Sequence, residues 1–292
     1  MEEQKKIIKL IGVPIKSHLL TINDYKIHYT VAGEGDPLVL IHGLNIGWGQ
    51  WHHNIKELSK YFRVYSIDMP GAGLSSSLLS HNIDPEKTFV EIVENFVNSL
   101  ALKEINLLGH SLGGWTALKL ALRNRIRIKK IILVSPMGLT SYVPWKFKPL
   151  SIYLFARFLS SVVVRKSSKK SMHDFLTSVI CEKNNIKEEF VDYFFTAIQP
   201  HKVHPFMLMH RLMGFFRVRK EFVLIDQLSK IVQPVLVVVG KYDPLVRAAD
   251  IHKTYALIPG AKLEIFLNSG HLPFIENSRD FNTLTVSFLK ES

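Results

Sequence analysis

Gly109-His110-Ser111-Leu112-Gly113-Gly114 decides how this sequence is read. Just upstream, Ile105-Asn106-Leu107-Leu108 has the continuous apolar character of a buried strand. Just downstream, Leu112 to Arg123 carries a helical pattern. The hexapeptide is therefore Gly-x-Ser-x-Gly at a strand–turn–helix junction, the setting of a nucleophile elbow. The requirement behind it is steric: Cβ atoms at Gly109 and Gly113 would collide with neighbouring backbone in so tight a turn. The turn also places Ser111 at a helix N-terminus, whose dipole favours developing negative charge.

Strands and helices alternate on both sides of this junction. Ser17 to Ile22 and Lys26 to Val31 read as a hairpin around Asn23-Asp24. Leu38 to Ile41 and Val64 to Ile67 read as strands, the first ending at His42-Gly43 and the second at Asp68. Phe89, Ile92, Val93, Phe96, Val97 and Leu100 recur at helical spacing over Pro85 to Leu100, with Asp84 as the expected N-cap and proline at the first helical position. Lys130 to Val134 is the next strand, ending at Ser135-Pro136. Strands at Val235 to Val239 and Lys262 to Phe266, with helices from Ala248 to Leu257 and Asp280 to Leu289, complete the series. Such alternation predicts a mostly parallel sheet with helices on both faces. Between Gly138 and Lys230 it stops and helical periodicity takes over. The expected organisation is a core of residues 1–137 and 231–292 carrying a helical cap over 138–230.

Composition bounds what such a chain can be. Its 292 residues are 47% apolar and 21% charged, and its 18 Phe, 9 Tyr and 4 Trp exclude disorder as the dominant state. A single cysteine, Cys181, excludes a disulfide framework and any Cys-based zinc site, and it suits a reducing compartment. Met1-Glu2-Glu3-Gln4-Lys5-Lys6 starts acidic and no signal-type apolar stretch follows. No apolar run reaches membrane-spanning length; the nearest, Leu150 to Val164, contains Arg157. These features predict a cytoplasmic protein.

Net charge is +12, from 37 Lys+Arg and 25 Asp+Glu. Gly138 to Lys230 holds 15 basic and 7 acidic residues, an excess of +8, and the remaining 22 and 18 give +4. No recognised nucleic-acid module accompanies the charge, so nucleic acid is not an expected partner. Ile152, Phe155, Phe158, Leu159 and Val162 trace a helical stripe, followed by Arg165, Lys166, Lys169 and Lys170. A basic, apolar helix of this kind can rest peripherally on an anionic membrane. The plainer expectation is a cap helix with its apolar face packed inward.

A serine hydroxyl needs a base to act as a nucleophile. Of 13 histidines, His271 follows the last strand in Asn268-Ser269-Gly270-His271, at the strand end where open α/β sheets place their sites. His42 is expected to order the loop it begins, His110 to point away from the site, and His52, His53, His201, His204, His210 and His252 to serve surface or packing roles. The base needs an acid to fix its tautomer. Asp243, in Gly240-Lys241-Tyr242-Asp243, follows the preceding strand. Its competitor Asp68 lies in Asp68-Met69-Pro70-Gly71-Ala72-Gly73-Leu74-Ser75 and reads as a turn former; a third acid position holds Ser135 instead. Oxyanion donors are expected from the backbone N–H groups of Leu112 and Leu44.

His42-Gly43, the Asp68 to Ser75 loop, the Gly109 to Gly114 elbow, Gly240 to Asp243 and Gly270-His271 together resemble the α/β-hydrolase superfamily, and the resemblance runs from about residue 17 to the C-terminus. It implies the chain order Ser111, Asp243, His271 for a catalytic triad, a cap after the sixth strand, and a small-molecule ester as substrate, with no metal and no organic cofactor. Ser111 departs from the aspartate nucleophile of dehalogenases and epoxide hydrolases. His110 and Leu44-Asn45 look more like the carboxylesterase and monoglyceride-lipase end than the ring-fission C–C hydrolases. Cofactor-free perhydrolases share the whole triad, and the fold also serves small-molecule receptors. An apolar acyl group is the expected preference; Phe206, Met207, Leu208, Met209, Phe215 and Phe216 can line such a pocket, though residues of this kind more often belong to the core and no single one is assigned.

Overall fold

The structure, a computed structural model, describes residues 2–78, 83–166, 168–182, 186–198, 205–214 and 216–291. His201, His204 and Phe215, and the side chains of Arg165, Lys166 and Phe206, lie outside the described residues.

Eight strands form one sheet: β1 (Lys16–Ile22), β2 (Tyr25–Ala32), β3 (Pro37–Ile41), β4 (Arg63–Ile67), β5 (Ile105–His110), β6 (Ile128–Val134), β7 (Val235–Gly240) and β8 (Lys262–Phe266). Their spatial order is β1-β2-β4-β3-β5-β6-β7-β8. β1 pairs with β2 and β2 with β4 antiparallel; the other neighbours are parallel. The β1–β2 turn is tight enough to put Asn23 at φ +51°, a conformation Asn tolerates better than most residues.

The apolar runs fill two cores, one on each face of the sheet. Val39, Ile41, Leu107, Ile131, Leu133, Val235, Val237 and Val239 pack into one. Leu38, Leu40, Leu108, Ile132, Val134, Leu236 and Val238 pack into the other. Side chains alternate along a strand, so a run apolar at every position is what a doubly covered strand requires.

The helices are α1 (Glu2–Ile11), α2 (Ile55–Leu58), α3 (Glu91–Ser99), α4 (Leu112–Arg123), α5 (Tyr153–Lys166), α6 (Lys169–Ser178), α7 (Glu188–Ile198), α8 (Pro205–Leu212), α9 (Ala248–Thr254), α10 (Pro273–Glu276) and α11 (Ser278–Lys290). The segment predicted helical from Pro85 opens as a π-turn over Glu86–Val90 before becoming α3, and Asp84 Oδ1 accepts from the N–H of Glu86 at 3.0 Å. α1 has no counterpart in the sequence reading. Its Ile7 and Ile11 are buried, and Gln4 Oε1 accepts from the Trp48 indole N–H at 3.0 Å. Its partners are distant in sequence, so local pattern alone does not announce it.

Between β6 and β7 lie α5 to α8 with several 3₁₀ turns and one isolated bridge, Met213 to Val218. α7 fastens this insertion to the sheet. The hydroxyl of Tyr193 accepts from the Gly49 N–H at 3.0 Å, and Phe190 stacks on the His52 ring with centroids 4.7 Å apart. The outcome at α5 corrects the expected packing of its stripe. Ile152, Phe155 and Phe158 are exposed, whereas Leu159 of the same stripe packs against the small core that holds Ala156. Among the described residues no helix is long and apolar enough to cross a membrane.

His52 is buried with Nδ1 3.0 Å from the Gly49 carbonyl and, among the described residues, no hydrogen-bond partner for Nε2. Burial lowers its pKa from 6.5 to about 3, and His53 beside it adds to the effect. The unfolded chain then binds a proton below about pH 6.5 that the folded chain refuses, so stability falls as pH drops toward 3. A His52→Phe variant, which keeps the stack on Phe190, should lose part of that acid sensitivity. Thermal unfolding followed from pH 7 to 4 should show the wild type losing up to about 1.4 kcal/mol per pH unit more than the variant. Parallel curves would rule His52 out as the origin of the slope.

Candidate active site

Ser111 sits between β5 and α4 at φ +53°, ψ −111°. Three backbone hydrogen bonds hold that unusual geometry: Ser111 N–H to Val134 O at 2.9 Å, and Trp115 and Met137 N–H to Ser111 O at 3.1 and 3.0 Å. A Cβ at Gly109 would lie 2.3 Å from Gly113 O, and one at Gly113 would lie 2.2 Å from Ile41 O. Both distances are far inside contact, so glycine is obligatory at each.

The loop after β3 closes against this turn. A Cβ on Gly43 would stand 3.5 Å from Ser111 Cβ. His42 fixes the loop as its sequence position suggested, with Nδ1 on the Gly43 carbonyl and Nε2 accepting from Met69 N–H at 2.9 Å. Among the described residues, neither the Leu44 N–H nor the Leu112 N–H has a hydrogen-bond acceptor. Leu44 and Leu112 line the same small cavity, with Met69, Phe89, Thr116 and Leu208 among its other walls. Leu208 is buried in the core that also walls this cavity, whereas Phe216 is exposed.

His271 and Asp243 meet at the ends of β8 and β7. His271 Nδ1 is 2.8 Å from Asp243 Oδ2, and both side chains are buried. Asp243 Oδ1 accepts from the N–H groups of Leu245 and Val246 at 2.8 and 2.9 Å. The carboxylate is therefore fully occupied and its orientation fixed. The two loops approach so closely that a Cβ on Gly240 would fall 2.0 Å from Gly270 O. The His271 N–H donates to Val179 O of the insertion at 2.7 Å.

His110, the residue before Ser111, packs against His271. The His110 ring lies 4.7 Å from that of His271, and its Nε2 is 3.2 Å from the His271 carbonyl. Its reading as a residue pointing away from the site is corrected: it is the buried floor under the histidine. Burial and the neighbouring imidazole push its pKa well below the usual histidine range, so this floor is uncharged. No hydrogen bond joins Ser111 to His271 among the described residues; such bonds commonly tighten only when substrate binds.

Glu276 escaped the sequence reading. Its carboxylate accepts from Gly270 N–H at 2.8 Å and Cys181 N–H at 2.5 Å, tying the His271 loop to the insertion. Burial raises its pKa above the ordinary carboxylate value. The available signal was its position five residues after His271, at the end of a short apolar turn.

Asp68 forms a network of its own. It is wholly buried, its Oδ1 accepts from Trp48 N–H at 2.7 Å, and its Oδ2 from Leu74 N–H at 3.0 Å. The same Oδ2 lies 2.7 Å from His28 Nδ1, and His28 Nε2 is 2.7 Å from the hydroxyl of Ser17. Its sequence-assigned work in the turn is therefore joined by an ion-pair geometry that locks β1, β2 and the loop after β4 together.

A family model described as the alpha/beta hydrolase fold matches residues 36–278. The chain belongs to the α/β-hydrolase family. A 2-hydroxy-6-oxo-6-phenylhexa-2,4-dienoate hydrolase of Comamonas testosteroni is 26% identical over 92% of this chain and 93% of its own length. A pimeloyl-[acyl-carrier protein] methyl ester esterase of Nitrosomonas europaea is 25% identical over 87% of this chain and 96% of its own. Among solved structures, a carboxylesterase of Bacillus subtilis superposes with a TM-score of 0.79 at 20% identity, covering 99% of this chain and 96% of that one. At that identity the likeness is one of fold.

The two buried carboxylates should respond differently to amide substitution. Asp68→Asn replaces one acceptor oxygen by an NH2 that faces either the Trp48 N–H or the Leu74 N–H, and should cost on the order of 3 kcal/mol of stability. Asp243→Asn should leave thermal stability closer to wild type while turnover falls about 10⁴-fold through loss of the histidine tautomer. Denaturation curves and ester kinetics on both variants check this. A stable, inactive Asp68→Asn beside an active Asp243→Asn would reverse the assignment.

Proposed function

We propose that the protein is a serine hydrolase that cleaves carboxylic esters through an acyl-enzyme intermediate. Ser111 Oγ attacks the ester carbonyl. His271 Nε2 takes the serine proton and returns it to the leaving alcohol, while Asp243 holds Nδ1–H and stabilises the imidazolium. The oxyanion is received by the N–H groups of Leu44 and Leu112. Water, activated by His271, then releases the acid and regenerates Ser111.

The observation that carries this reading is the strained Ser111 at the β5–α4 turn next to a cavity lined by Leu44 and Leu112, whose N–H groups have no acceptor among the described residues. An N–H with no protein acceptor costs free energy unless something else takes its hydrogen. A developing alkoxide meets that need, and it forms only in the tetrahedral species. Met69, Phe89 and Leu208 make the surroundings of these two N–H groups apolar, which strengthens a hydrogen bond formed there.

A second reading, hydrolysis of a carbon–carbon bond next to a ketone, has the support of the dienoate hydrolase relatives. It would use the same triad and the same oxyanion donors on a different scissile bond. The geometry of His271 and Asp243 does not separate the two; turnover of a short p-nitrophenyl ester against a vinylogous diketone does.

Ser111→Ala should abolish labelling by a fluorophosphonate probe and leave the unfolding midpoint close to wild type. Loss of a triad nucleophile lowers kcat by about 10⁴ to 10⁶. Near-wild-type esterase activity in the folded variant would remove Ser111 from the mechanism.

A further inference from the structure

Trp145, Ile152, Leu154 and Phe158 are 81%, 53%, 73% and 60% exposed; Phe155 is exposed to a lesser degree, as is Tyr153, which also meets the His210 ring edge-on. All six fall within fourteen residues, in the 3₁₀ turn Trp145–Ser151 and the start of α5. Isolated exposed apolar residues are ordinary, but a contiguous patch marks an interaction surface. On α5, Leu154, Arg157, Phe158 and Ser161 follow at spacings of three and four and share the outward ridge. The opposite side holds Ala156, which packs with Leu150 and Met207 in a small core of its own. The helix is therefore anchored through a small residue and offers its large apolar ones to the outside.

Charge identifies the occupant. From Gly138 to His173 the sequence has seven Lys or Arg residues and no Asp or Glu. Lys146, Lys148 and Arg157 are exposed within the patch, and Lys170 is exposed at the start of α6. A second copy of this chain would set like charges against each other. A bilayer with anionic headgroups accepts both features at once: apolar side chains enter the acyl boundary and lysines and arginines meet phosphate. Trp and Tyr suit the headgroup level. We propose that the 3₁₀ turn Trp145–Ser151 and α5 form a docking surface for anionic phospholipid bilayers. The attachment is peripheral and independent of the reaction at Ser111.

The test uses the full chain with phosphatidylcholine vesicles and with vesicles enriched in phosphatidylglycerol. Wild type should sediment with the anionic vesicles at low salt, much less with the neutral ones, and be released by high salt. Leu154→Ser with Phe158→Ser should abolish binding. Lys146→Gln, Lys148→Gln and Arg157→Gln together should weaken it roughly a hundredfold, at about fivefold per well-placed charge. None of these side chains belongs to the proposed machinery, so hydrolysis of a short soluble ester should be unchanged and reports that each variant is folded.

A second readout needs no variant. Trp48, Trp51 and Trp115 are buried, so brominated lipid in anionic vesicles should quench wild-type tryptophan fluorescence through Trp145. Failure of wild type to bind anionic vesicles at low salt overturns the proposal. So does binding that survives both sets of substitutions, or quenching that persists in Trp145→Phe. Self-association that is lost in Leu154→Ser with Phe158→Ser, without vesicle binding, would assign the patch to a second copy and likewise overturn it.

Discussion

The architecture of the site depends on one close approach. The β5–α4 turn lies against the end of β3 so tightly that a single methyl group on Gly113 would reach 2.2 Å from the Ile41 carbonyl oxygen. That contact fixes where Ser111 stands, because the backbone bonds of Ser111 to Val134, Trp115 and Met137 leave the turn no slack. It also fixes the loop that starts at His42, and so brings the Leu44 N–H to the cavity that Leu112 shares. A strained residue at φ +53° persists only where its surroundings over-determine it, and here both flanking strands do so.

A second constraint comes from the insertion. Val179 O receives the backbone N–H of His271, Glu276 bridges the His271 loop to Cys181, and Tyr193 satisfies the loop that follows His42. The segment between β6 and β7 thus braces both halves of the site, from behind His271 and from behind the loop after β3. Its outer helix, α5, takes no part in this bracing and leaves Leu154 and Phe158 largely exposed.

Most of the sheet was legible because its strands obey a strong local rule. Leu38 to Ile41, Ile105 to Leu108 and Val235 to Val239 are apolar at successive positions, and both faces of each are covered. The Ser111 turn was legible because its two glycines are required by contacts within a few residues or with the adjacent strand. Asp243 and His271 were legible by position after strands, and the structure joins them at 2.8 Å. What stayed hidden depends on distant partners. α1 folds against groups such as Trp48, and Glu276 acts through Gly270 and Cys181. Asp68 showed its role in a turn, but its pairing with His28 spans forty positions. The outward face of α5 was misread as inward because an apolar stripe has the same spacing whichever way it points.

The central claim is that Ser111 carries a covalent acyl group during turnover. Rapid-quench peptide mass spectrometry of wild type mixed with a p-nitrophenyl ester tests it most directly, with the release of p-nitrophenol followed in parallel. The account predicts an acyl adduct on the peptide containing Ser111, accumulating with an initial burst when hydrolysis of the acyl-enzyme limits turnover, and no adduct elsewhere. An adduct on a different serine, or catalytic turnover in a Ser111→Ala variant at the wild-type rate, would contradict it.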